Sequence, residues 1–153
     1  MTALGDFTAG QVLQASDLNT IGTWQDYTPT LTNISGTVDY AMFCQINELV
    51  IVHFAISLDA AVSGTVEIST PVNYGTNLGG TGDGQNSIGT AHGIDASASN
   101  RRYLMHVLSR STNLFRFVFD GASSGTNGII GTTKPFTWAS GDSLRFSATY
   151  RGA

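Results

Sequence analysis

No lysine or arginine occurs in the first 100 residues of this 153-residue chain, although nine acidic residues do. All seven basic residues (Arg101, Arg102, Arg110, Arg116, Lys134, Arg145, Arg151) come later, with only Asp120 and Asp142 beside them. The two stretches therefore carry −9 and +5. Charged residues make up 12% of the chain, about half the usual share of roughly 25%. A total of −4 with dispersed arginines argues against nucleic acid as a partner, which calls for a clustered basic face. The opposed halves suit pairing within one domain, or complementarity between neighbouring subunits. In the second case Arg101, Arg102, Arg116 and Arg145 are the candidates.

Cysteine is nearly absent. Cys44 stands alone, which excludes an internal disulfide and fits a reducing compartment. No apolar run approaches the roughly 20 residues of a membrane-spanning helix. The first residues lack a basic segment followed by an apolar one, so the expectation is synthesis in a cytoplasm without signal-directed export.

Catalytic patterns are also missing. Residues 121–125 match G-x-S-x-G with Ser123 at the centre, but no helix-forming run follows and the last histidine, His106, lies upstream. Residues 79–83 touch the calcium-binding pattern G-G-x-G-x-D without its continuation or a repeat. In residues 128–134 no lysine directly follows the second glycine, so no P-loop forms. His53, His92 and His106 lack metal-ligand spacing, and Glu48 and Glu67 sit at a turn and in a strand. Residues 33–35 fit a glycosylation acceptor, which has no meaning without export. The reading is of a protein without enzymatic activity, cofactor or metal.

What is present changes character near Trp24. Before it, Ser16 is placed to cap a short helix, with Asp17 at its positive end and Gly22 to stop it. A helix so short must dock on something. Residues 1–25 read as an attachment arm whose contacts are Val12, Leu13, Ser16, Leu18 and Ile21; residues 26–153 read as one β-domain.

From Tyr27 onward apolar residues recur with period two. Residues 39–46 align Tyr40, Met42, Cys44 and Ile46, and residues 49–58 align Val50, Val52, Phe54, Ile56 and Leu58, joined at Asn47 and Glu48. A shorter strand covers 65–70. A second hairpin joins 102–110 to 113–120, with Phe115, Phe117 and Phe119 on one side, and 143–151 turns Leu144, Phe146, Ala148 and Tyr150 inward. The expected fold class is all-β, an antiparallel jelly-roll-like β-sandwich preceded by the arm and its one short helix.

Residues 75–93 (GTNLGGTGDGQNSIGTAHG) read as the longest irregular stretch, either a plain surface connection or a partner-contact loop. Its contact candidates are Tyr74, Asn77, Asp83, Gln85 and Asn86. Sandwich loops bearing aromatic residues also bind sugars by stacking, so a carbohydrate-binding module is an alternative, with Trp24, Trp138, Tyr74 and Tyr103 as candidates.

Two stretches carry a family resemblance. Residues 7–21 (FTAGQVLQASDLNTI) resemble the opening of small tailed-bacteriophage virion proteins, and residues 135–150 (PFTWASGDSLRFSATY) are similar to the last strands of the same group. Residues 27–31 (YTPTL) and 45–50 (QINELV) are similar as well. The resemblance implies a minor tail, tail-fibre or head-decoration protein, held in the virion by its arm. It also implies a homotrimer, other virion proteins as partners, and contact with a host cell-surface glycan for a tail-tip role. Capsid decoration is the alternative place. Nucleic acid and membrane insertion are not implied.

Overall fold

The computed structural model describes residues 22–75, 86–119 and 128–153. The arm residues Val12, Leu13, Ser16, Leu18 and Ile21, with the expected helix, lie outside that set, as does Ser123. No helix occurs among the described residues, and hence none long and apolar enough to cross a membrane.

The described residues are all-β. Nine strands run as β1 (Gln25–Asp26), β2 (Leu31–Thr32), β3 (Gly36–Ile46), β4 (Leu49–Leu58), β5 (Glu67–Ser69), β6 (Ser87–Asp95), β7 (Arg101–Arg110), β8 (Leu114–Phe119) and β9 (Ser143–Arg151). They form one sheet in the order β1-β3-β4-β9-β6-β7-β8-β5-β2, and every neighbouring pair is antiparallel. Gln25, which the sequence reading placed in the arm, pairs with Phe43 beside the Asp26–Met42 pair and so belongs to the sheet.

The sheet curls strongly. β1 and β2 stand at opposite ends of the strand order, yet the chain crosses between them in a few residues. Tyr27 N–H still donates to Ala41 O of β3 at 3.0 Å, and Thr30 O already accepts from Ser69 of β5 at 3.0 Å. Three residues of extended chain span at most about 11 Å, whereas nine strands laid flat would separate the edges by roughly 38 Å. The core confirms the curl. Phe115 and Phe117 of β8 lie 5.0 and 5.2 Å, ring to ring, from Phe146 of β9, although β6 and β7 separate those strands in the sheet.

Alternation sets which side chains reach that core. Val50, Val52, Phe54, Ile56 and Leu58 point inward and are buried, as do Leu144, Phe146, Ala148 and Tyr150 of β9, both as expected. Between β3 and β4 the register pairs Phe43 with Val52 and Ala41 with Phe54, so those are the inner positions of β3. Tyr40, Met42, Cys44 and Ile46 share one face as expected, and it is the outer one. A bulge between Val38 and Tyr40 moves the inner row. Asn47, with φ of 53°, makes the tight turn.

The stretch read as irregular contains a strand. β6 covers Ser87–Asp95 and fills the gap between β9 and β7. Its inward positions are Gly89, Ala91 and Gly93, which carry no apolar signal because the space above them is taken. A Cβ on Gly93 would stand 2.8 Å from the Trp138 ring, with Met105 and Phe136 also in contact. Trp138 stacks on Phe136, ring centroids 4.3 Å apart, and its indole N–H donates to Lys134 O at 2.8 Å.

Candidate functional site

Strand directions give the domain two unlike ends. The near end holds the Asn47 turn, the Ser111 turn, the last residues of β9 and the point where the arm enters at Gly22. The far end holds the 96–100 turn and Asp142, whose buried carboxylate accepts from Ala96 N–H at 2.9 Å and Ala139 N–H at 2.7 Å. Strands of nine to eleven residues set the ends about 30 Å apart.

At the near end the outer face of the β3–β4 hairpin is apolar and open. Trp24, Ile46 and Leu49 there are three of the five large hydrophobic residues exposed among those described, and Tyr40 lies further along the same face, in the far half of β3. Gly22, the first described residue, lies against Ile46 and Cys44. Two of the loop's contact candidates, Tyr74 and Asn86, also fall at this end. Tyr74 is buried with its hydroxyl donating to Leu114 O at 2.8 Å, so it offers no surface to a partner. Asn86 is half-buried and its carbonyl accepts from Ser109 N–H, while Asn77, Asp83 and Gln85 lie outside the described residues.

The arginines divide into two sets. Arg116 is turned to Glu67, its Nε 3.1 Å from the carboxylate, with Arg110 4.0 Å from the same oxygen. Arg151 forms a two-pronged pair with Glu48 at 2.6 and 3.1 Å. These pairs join the basic second half to the acidic first half, and they remove Arg116 from the candidates for a contact between subunits. The Glu48–Arg151 pair lowers the carboxyl's proton affinity chiefly through its hydrogen bond, and raises that of the guanidinium. Arg101, Arg102 and Arg145 form no ion pair with the described residues, and all three are exposed.

Those three gather at the far half of β7, β6 and β9. On the outer face Arg145 lies directly across from His92, and His92 from Leu104. Met105 pairs with Phe119, the last described residue of β8, so the far part of β7 from Arg101 to Leu104 lies beyond the described register. Along that part of β7 runs an open cleft of about 340 Å³ lined, among the described residues, by Arg101, Arg102, Tyr103, Leu104, His106 and Phe119. Comparison with models of known families, with curated proteins and with solved structures finds no match.

The cleft has definite internal geometry. Tyr103 is wedged against Phe136 with ring centroids 4.8 Å apart and against Phe119 at 6.3 Å. The Arg101 guanidinium lies over the Tyr103 ring, 5.3 Å from its centroid. Asp95, which opposes Arg101 in register, is buried and spends its carboxylate on Ser97 Oγ and Ala98 N–H. Of the four aromatic residues offered for sugar stacking, Tyr74 and Trp138 are buried, Trp24 stands at the near end, and Tyr103 alone lines this cleft.

Sequence reasoning separated Arg101 and Arg102 as charge from Tyr103 as an aromatic, named Phe119 only as part of the aligned row on its strand, and did not single out Leu104. The β7–β8 register brings them together. Among the described residues no three His, Cys, Asp or Glu side chains group as metal ligands.

Proposed function

We propose that the chain is a non-enzymatic structural component of a tailed-phage virion, attached through its N-terminal arm and displaying the β-domain on the particle surface. The supporting observation is the contrast between the two ends. The near end, where the described chain begins at Gly22, carries an open apolar face of the kind that marks a protein contact, and the far end presents a cleft with Arg101 and Arg102 exposed to solvent. The attachment partner in this reading is a neighbouring virion subunit, and the jelly-roll-like sandwich and the homotrimer belong to the same proposal. The ring contacts of Phe115 and Phe117 with Phe146 support two facing layers. The solvent-facing cleft with Arg101 and Arg102 supports contact with a host-surface glycan at a tail tip, and capsid decoration is the alternative place.

The test is the copy number of this protein per purified particle, by quantitative mass spectrometry against the major capsid protein. A handful of copies places it on the tail. Hundreds place it on the capsid as a decoration protein, and absence overturns the reading.

A further inference from the structure

The far-end cleft joins three features that seldom meet on a surface this poor in charge. Arg101 and Arg102 are adjacent, exposed and outside any ion pair with the described residues. Arg101 is held against the Tyr103 ring, which restricts the guanidinium although the residue stays exposed. Leu104 is 58% exposed, and with Phe119 it supplies apolar wall. None of the six described lining residues is acidic.

Each feature narrows the ligand. A planar guanidinium fork matches a carboxylate through two parallel hydrogen bonds, and a stacked arginine loses less freedom on making them. Apolar wall beside the fork suits the C–H face of a sugar ring. A volume of about 340 Å³ is at the lower limit for ligand sites and takes one or two sugar rings. A protein partner would need roughly 800 Å² of surface on each side, far more than this cleft offers.

We infer that this cleft is a binding site for an acidic saccharide, its carboxylate held by Arg101 and Arg102 and its ring seated on Leu104 and Phe119. The Tyr103 ring is the platform for Arg101 and does not itself stack on the sugar. This inference goes beyond virion membership, and it stands or falls separately from the particle copy number.

The test is calorimetric titration of the full chain with a uronic-acid disaccharide, with the same disaccharide after reduction of its carboxyl to an alcohol, and with inorganic phosphate. The expected result is saturable binding of the acid form, weakened at least tenfold by carboxyl reduction. Arg102→Ala and Arg101→Lys should each weaken it at least fivefold, the second because lysine lacks the fork. Arg145→Ala, outside the cleft, should leave it unchanged. Both arginines are exposed, and unchanged melting temperatures would show that the variants remain folded. Leu104→Ala gives a second, uncharged variant that should also weaken binding. Phosphate binding as tightly as the disaccharide would reduce the site to a general anion patch and overturn the inference. So would no binding of the acid form, or equal binding by the arginine variants.

Discussion

Trp24 reaches over the outer face of β3 and sets its ring edge-on against His53 of β4, ring centroids 5.0 Å apart and planes at 67°. β1 and β4 flank β3 on opposite sides, so this contact bridges three strands. It pins the residues that follow the arm to the domain while leaving much of the indole in solvent, 45% exposed.

Trp24→Ala should therefore cost little stability, about 1 kcal/mol for the lost ring pair, and should sharply reduce incorporation into particles. Melting temperature and particle copy number measured on the same variant separate the two effects. A variant that assembles normally would remove the near-end face from the attachment contact.

Three tyrosines, Tyr27, Tyr74 and Tyr150, form the lower core, and burial raises the pKa of each. Tyr150 is pushed up to about 12, and Tyr27 and Tyr74 are raised further. In the unfolded chain a tyrosine ionises near pH 10. The folded state keeps its proton above that pH, so the unfolded state binds fewer protons and stability falls as pH rises. The predicted window opens near pH 10 and extends past pH 12, with a slope of about 1.4 kcal/mol per pH unit for each tyrosine. Urea denaturation at pH 9, 10 and 11 checks it, and a flat profile would contradict the burial.

The tyrosine hydroxyls are not equivalent. Tyr150 donates to Val72 O at 2.8 Å, whereas the buried Tyr27 hydroxyl has no hydrogen-bond partner among the described residues. Tyr150→Phe strands a carbonyl and should cost about 1 kcal/mol, while Tyr27→Phe should be neutral or stabilising. Chemical denaturation at pH 7 reads both.

Two glutamate–arginine pairs should respond in opposite ways to loss of the acid. Glu67→Ala leaves the nearly buried Arg116 without its carboxylate and should cost about 3 kcal/mol. Glu48→Ala opens a pair that is over half exposed on both sides and should leave the melting temperature unchanged. Thermal unfolding of the two variants side by side tests the contrast.

Gly93→Ala places a methyl against Trp138 in a filled core and should destabilise by about 2 kcal/mol. A neutral result, read by denaturant midpoint, would mean that the Trp138 ring has room to move.

β4 and β9 were legible in the sequence because each alternates large apolar residues with polar ones, and alternation is a local property. β6 was not, because its inward row is Gly89, Ala91 and Gly93. Those residues are small on account of Trp138 and Met105, which lie far away in sequence. The outward facing of Tyr40, Met42, Cys44 and Ile46 escaped for a related reason. Period two tells which residues share a face, but the bulge after Val38 and the partner strand decide which face is buried.

The candidate site divides along the same line. Arg101, Arg102, Arg145 and Tyr103 all stood out by residue type, but type could not say which arginines were already engaged. Glu67, 49 residues before Arg116 in the chain, takes that arginine only because β5 and β8 pair.

The sequence by itself determined the all-β class, the inward rows of β4 and β9, the two hairpins and the poverty of charge, since composition and short-range periodicity act over a few residues. Tertiary structure decided the curl that brings β8 over β9, the place of β6, and which arginines pair with Glu48 and Glu67. Those outcomes depend on contacts between segments tens of residues apart, and no local pattern encodes them.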